Sequence, residues 1–133
     1  MSVKAIRALL LADAAVLARV QVDSIAAGDV EADASLPAIG VTEVGLVPIG
    51  AIDAQSAYSL VTSRVQVTVA AKEYPEVQAV LGLVRRACNF QRGKIAGVDV
   101  VSVLRDTVGP DLEDAAGNPV KSIDFKVTYH EQN

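Results

Sequence analysis

The stretch SRVQVTVAAKEYPEVQAVLGLVRRACNF, Ser63 to Phe90, changes its hydrophobic period at its middle. Val65, Val67 and Val69 alternate with Arg64, Gln66 and Thr68, the period of two that marks a strand with one covered face. After Tyr74-Pro75 the apolar residues return at Val77, Val80, Leu81, Val84 and Cys88, which puts them on one side of a helix. Pro75 suits the first turn of that helix, where its missing N–H is not needed. The spacing therefore predicts a strand over Leu60 to Ala71 and a helix over Pro75 to Asn89. Val65, Val67 and Val69 are expected to pack against Val77, Val80, Leu81 and Val84.

Upstream, Ser2 can cap a helix that runs through Leu11, with Val3, Ile6, Leu9 and Leu10 as its apolar stripe. Asp13 can cap a short turn from Ala14 to Ala18. A short strand is expected at Val20 to Ile25, then an acidic loop, then a strand from Leu36 to Gly45. Pro37 belongs at the start or edge of that strand, because proline cannot donate to a ladder.

Downstream, KIAGVDVVSVLRDTV reads as a fourth strand with Gly97 as a turn or bulge near its start. GPDLEDAAGNP is rich in turn formers and reads as a hairpin connection. In SIDFKVTYHE, Ile123, Phe125, Val127 and Tyr129 alternate with Ser122, Asp124, Lys126, Thr128 and His130, the mark of a last strand. The order α-β-β-β-α-β-β describes an α+β fold: a mostly antiparallel sheet of about five strands with two helices packed on one face. Residues 1–133 read as a single domain, with no internal repeat and no linker.

One segment resists this scheme. GLVPIGAIDAQSAYS, Gly45 to Ser59, is apolar at Leu46, Val47, Ile49, Ala51 and Ile52, yet Gly45, Pro48 and Gly50 interrupt any regular element. An apolar loop must be covered, either by its own core or by a neighbouring subunit.

Composition narrows the functional classes. Half the chain is apolar, but aromatics are 4% and Trp is absent, so the core must be built from Val, Leu, Ile and Ala. The formal charge of −4 argues against a general nucleic-acid binder, whose affinity rests on Lys and Arg contacts to phosphate. The charges are segregated. From Val20 to Ser63 every charge is acidic: Asp23, Asp29, Glu31, Asp33, Glu43 and Asp53. From Val77 to Val98 every charge is basic: Arg85, Arg86, Arg92 and Lys94. That asymmetry suits contact with another surface, including another copy of the chain, and equally describes two solvated faces. A single cysteine excludes an intrachain disulfide, and no apolar run approaches the roughly 20 residues of a membrane span. Lys4, Arg7 and Asp13 interrupt any secretory pattern at the N-terminus, so a soluble protein used without export is expected.

Catalytic constellations are absent. His130 is the only histidine and sits on the polar side of a terminal strand, where a surface role is expected. Cys88 falls on the apolar face of the second helix, a core position, with no base in sight. DVEAD, Asp29 to Asp33, begins like a calcium loop, but Ala34 replaces the required glycine and Gly40 the closing glutamate. Gly93-Lys94-Ile95 lacks the spacing and the Ser or Thr of a phosphate loop. No catalytic residue, metal site or cofactor is expected. Arg85, Arg86, Arg92 and Lys94 could hold an anion or complement the dipole of the helix end.

The whole pattern resembles a known family. A short helix ending in LLLADAAV, Leu9 to Val16, precedes LPAIGV; the strand SRVQVTVAA, a helix after a tyrosine, Gly97-Val98 and SIDFKVTYHE follow. The best matching pieces are Arg64-Val65-Gln66-Val67 and Asp124-Phe125-Lys126-Val127-Thr128-Tyr129. In this the chain is similar to the small tail-completion, or tail-terminator, proteins of long-tailed bacteriophages and prophages. The resemblance implies a virion protein that forms a ring, typically a hexamer, on the head-proximal end of the tail tube. Such a ring stops tube polymerisation, binds tail-tube protein on one side and offers the head–tail connector a surface on the other. DNA passes through its lumen without specific binding, and assembly takes place in the host cytoplasm. Within that picture Leu46, Val47, Ile49, Ile52, Arg64, Arg85, Arg86, Arg92 and Lys94 are the candidate residues for contact with other chains. Competing readings are a neck or head-closure connector, a small α+β ligand-binding or enzyme domain, and a host-encoded structural module.

Overall fold

The computed structural model describes residues 1–30, 34–48 and 58–132. The strand and helix read from Ser63 to Phe90 form its centre. Strand β3 spans Tyr58–Ala70 and helix α3 spans Tyr74–Cys88. Val65, Val67 and Val69 are fully buried in one cluster with Val77, Val80, Leu81 and Val84, so the expected packing is present. Each such side chain removed from water contributes about 1.5–3 kcal/mol before the cost of ordering it. Pro75 lies in the first turn, Glu76 is the acidic residue there, and Arg85 and Arg86 stand in the last turn, all in keeping with the helix dipole.

Around this centre lie α1 (Ser2–Leu11), α2 (Ala14–Leu17), and strands β1 (Ile25–Ala27), β2 (Ala38–Pro48), β4 (Gly93–Ile95), β5 (Val98–Val108), β6 (Leu112–Glu113) and β7 (Pro119–Gln132). Asp13 caps α2 as expected, its Oδ1 accepting from the Val16 N–H at 3.0 Å. The sheet order is β1-β2-β3-β7-β5-β4, with β6 beside β7. Every pair is antiparallel except β1 with β2. Ala5, Ile6 and Leu10 of α1 and Val16 of α2 join the α3 residues over the sheet face that holds Ile123, Phe125, Val127 and Tyr129. The class is α+β with helices on one face, as expected, but with seven described strands and a short third helix.

The differences have local causes. Val20 to Ile25 was expected as a strand, yet Val22–Ser24 is a 3-10 turn and β1 begins only at Ile25. The Ser24 N–H donates to Gln21 O at 2.9 Å and Ser24 Oγ donates to Ser35 O at 2.8 Å, bonds that compete with a ladder. β2 was expected to stop at Gly45 and instead runs through Pro48. Its register shifts between Glu43 and Gly45, so Val44 is an extra residue that lets the strand bend and continue. Pro48, the last residue of β2, still pairs with Val61. Gly40 has no room for a side chain: a Cβ there would stand 2.6 Å from Gly28 O and 2.8 Å from Val30 N.

The fourth expected strand is a hairpin. Ile95 pairs with Val98 across the two-residue turn Ala96-Gly97, both at positive φ (52° and 80°), the geometry of a type I′ turn. Asp114 Oδ1 accepts from the N–H groups of Ala116 and Asn118, each at 2.9 Å, and so forms the turn that sends β6 into β7.

Candidate assembly surface

Four of the candidate cations lie along the seam that runs from the end of α3 through β4, beside β5. Arg85 and Arg86 are exposed in the last turn of α3. The helix stops because Asn89 turns extended and Phe90 takes a φ of 65°, a conformation rarely held by a bulky residue. The chain then runs along β5. Asn89 Oδ1 accepts from the Arg105 N–H at 3.0 Å, the Phe90 N–H donates to Val103 O at 2.8 Å, and the Val103 N–H donates to Gln91 O at 3.1 Å. This seam delivers Arg92 and Lys94, both exposed, to the last strand of the sheet order. Among the described residues the ion pairs are Arg64–Asp106, Lys126–Asp106 and Lys121–Asp111; none of these four cations is in one, though Lys94 stands opposite Asp99 across the ladder.

Two residues along this seam escaped the sequence reading. Phe90 is 77% exposed. It lies just past the helix pattern, and nothing in the periodicity announced its strained backbone. Arg105 is exposed on β5 opposite Phe125. Its place two residues after Val103, on the alternation that points toward the helices, was a usable signal. Arg85 and Arg105 flank a groove of about 270 Å³ between α3 and β5.

The remaining candidates lie elsewhere. Leu46 and Val47 are 39% and 66% exposed at the end of β2, beside an equally uncovered Val44 at 50%. They sit on a strand, where a loop was expected. Ile49 and Ile52 lie outside the described residues. Arg64 is on the sheet face away from the helices. There it shares a shallow recess with Val44, Val47, Thr62 and Lys126, and its guanidinium is paired with Asp106. It therefore lies apart from the other four cations and is already neutralised.

The acidic stretch belongs to the opposite end of the sheet order. Asp23 is exposed in the turn before β1. Glu43 is tied inward: its Oε2 accepts from Ser2 Oγ at 2.9 Å and from Ser63 Oγ at 3.1 Å. Glu31, Asp33 and Asp53 lie outside the described residues. Strand β1 begins the sheet order and β4 ends it, yet Ala27 of β1 and Ala96 beside β4 line one recess along α1, so the two ends of the order are brought close together.

Cys88 is buried in the core, as expected, and burial, with a smaller contribution from the charge of Asp13, pushes its thiol up to about 12. No group of three His, Cys, Asp or Glu side chains able to hold a metal occurs among the described residues. No described helix is long and apolar enough to cross a membrane.

The fold has known counterparts. A profile of the tail completion protein gp17 family matches residues 4–129. A chain from a solved structure described as the virion of native gene transfer agent (GTA) particle superposes with a TM-score of 0.67. It is 15% identical, with 97% of this chain and 94% of that chain covered, a likeness of fold. Comparison with curated proteins finds no match. This is a structural protein of the viral tail. The chain belongs to the tail completion protein gp17 family, in agreement with the resemblance of its sequence.

Proposed function

We propose that this chain, acting as a single domain, closes into a hexameric ring on the head-proximal end of the tail tube, ends tube polymerisation there, and presents the head–tail connector with its other face. The supporting observation is that one stretch exposes carboxylates, Asp23 and Asp29 on either side of β1, and another exposes cations, Arg85, Arg86, Arg92 and Lys94 from α3 to β4. A ring that is not a two-fold dimer needs one patch to meet a different patch on its neighbour, and complementary charge sets that register. The chemistry is binding alone: one ring face complements the last tube ring, and the other does not repeat that surface, so growth stops. The overall charge of −4 suits a lumen through which DNA slides, since like charge weakens contact with phosphate.

Solution mass together with electron microscopy tests the ring. The purified protein, alone or on tube ends, is expected to give annular particles with six-fold averages. Arg85→Glu/Arg86→Glu is expected to shift assembly to about tenfold higher concentration or more. A protein that stays monomeric in both settings contradicts the ring, and binding to the connector but not to tube protein favours a head-closure role instead.

A further inference from the structure

Phe90 has the features of a contact anchor. It is the most exposed large apolar side chain among the described residues, 77% open to water. Its φ of 65° is a strained, left-handed conformation for a bulky residue, and such strain collects where a side chain must be aimed. The backbone is nevertheless fixed there: the Phe90 N–H donates to Val103 O at 2.8 Å and the Val103 N–H to Gln91 O at 3.1 Å. A ring held out this way loses little freedom on binding. Arg86, in the last turn of α3, and Arg92, two residues after Phe90, are exposed and in no ion pair among the described residues. An aromatic anchor flanked by guanidiniums fits an apolar pocket rimmed by carboxylates.

The chain carries such a pocket away from Phe90. A cavity of about 400 Å³ lies where the segment after β1, the end of β3 and the β6–β7 turn meet. Val30, Leu36, Ala70 and Val120 give it apolar walls, Asp29 and Asp114 line it as well, and no Lys or Arg does. Asp29 is exposed, and neither carboxylate is in an ion pair among the described residues. Asp114 holds its place through the N–H groups of Ala116 and Asn118 and Asn118 Nδ2, all neutral donors, so its charge stays uncompensated. On the other wall the Gly28 N–H donates to Val41 O at 2.7 Å. Three other recesses are each lined by two cations, Arg85 with Arg105, Arg64 with Lys126 and Lys4 with Arg7, and repel a knob that brings Arg86 and Arg92. Charge therefore singles out the Asp29–Asp114 pocket as the receptor. Val103, which Phe90 bonds, aligns through Val127 with Ser63, whereas the pocket begins at Thr68 and Ala70, roughly 20 Å further along β3. Phe90 does not fill the pocket of its own chain.

We propose that Phe90 of one subunit inserts into the pocket between Leu36 and Val120 of the next, with Arg86 and Arg92 set against Asp29 and Asp114. This contact rests on the ring reading and gives it a specific joint. Because the knob and the pocket are different patches, each subunit offers both, and repetition closes a ring instead of stopping at a dimer.

Photo-cross-linking tests it in the full chain. With p-benzoylphenylalanine in place of Phe90, which keeps an aromatic group there, irradiation is expected to give a ladder of covalent multimers. Their cross-links should map to the peptides that hold Leu36 or Val120. Phe90→Asn and Asp29→Arg are each expected to raise the concentration for half-assembly, alone or on tube ends, about tenfold or more. Combining Asp29→Arg with Arg86→Asp/Arg92→Asp should restore most of the loss, a rescue that a merely structural role would not produce. Assembly unaffected by Phe90→Asn, no rescue by the reversed charges, or cross-links that map outside this pocket overturns this joint and leaves the ring standing. A wild-type chain that never assembles, alone or on tube ends, removes the ring and this joint with it.

Discussion

Ser63 Oγ lies 3.1 Å from Glu43 Oε2, and the same carboxylate oxygen is 2.9 Å from Ser2 Oγ. The two serines are fully buried and their hydroxyl oxygens are 2.8 Å apart. Each hydroxyl has one proton, so when both donate to Glu43 the Ser2–Ser63 contact is not itself a hydrogen bond. This carboxylate joins the start of α1 to β2 and β3. Glu43→Ala would leave two buried hydroxyls with only each other, at a cost of about 1–3 kcal/mol in urea unfolding. Glu43→Gln keeps an acceptor and should lose clearly less. Equal stability of Glu43→Ala and the wild type would contradict this role.

Gly40 is where β2 meets the backbone that follows β1. With Gly28 O and Val30 N at 2.6 and 2.8 Å from the Cβ position, backbone on both sides must move to admit a methyl group. Gly40→Ala is expected to cost about 1–3 kcal/mol and to speed amide exchange in Ile25 to Val30 more than in β7. Unchanged exchange there would show that the close approach is not maintained in solution.

Cys88 makes stability depend on alkaline pH. Its thiol titrates at about 12 in the fold against 9.0 for the ordinary group, chiefly because it is buried. Below the lower value both states keep the proton, and this group's contribution is fully present. Between the two values only the unfolded chain ionises, so stability falls by about 1.4 kcal/mol per pH unit until the folded thiol titrates too. Cys88→Ala is expected to lower stability at neutral pH by opening a small cavity and to flatten this decline. A slope unchanged by the substitution would assign the decline to other groups. Native Cys88 should also resist a thiol reagent at pH 8 until the chain unfolds.

Phe90 holds a left-handed backbone with its ring 77% exposed. Asn tolerates that conformation better, so Phe90→Asn is expected to leave stability unchanged or to raise it by up to about 1 kcal/mol. A marked loss of stability would mean that the ring packs against the fold. Loss of assembly without loss of stability would add Phe90 to the contact surface.

Much of the fold was legible because the sheet's central strands are long and one-sided. Val65, Val67 and Val69, and Ile123, Phe125, Val127 and Tyr129, repeat at the period that a covered face imposes, and α3 shows its own period beside them. The edges were not legible. β1 is three residues long and is defined by parallel pairing with Ile39, Gly40 and Val41, a non-local contact that leaves no periodic trace. The end of β2 was hidden by Gly45 and Pro48, whose turn chemistry is overridden by pairing with Arg64 and Val61. The charge segregation was visible in the sequence. That Arg64 is neutralised by Asp106, while Arg85 gains Arg105 across a groove, depends on strand order and could not be read from spacing.

The most direct measurement of the central claim is tube growth. Purified tail-tube protein is allowed to polymerise with and without this chain, and tube lengths and ends are examined by electron microscopy. The account predicts tubes that stop elongating when the chain is added, with a ring at one end only, and normal growth when assembly-defective Arg85→Glu/Arg86→Glu is used instead. Tubes that elongate equally in its presence, with no ring bound at either end, would contradict it.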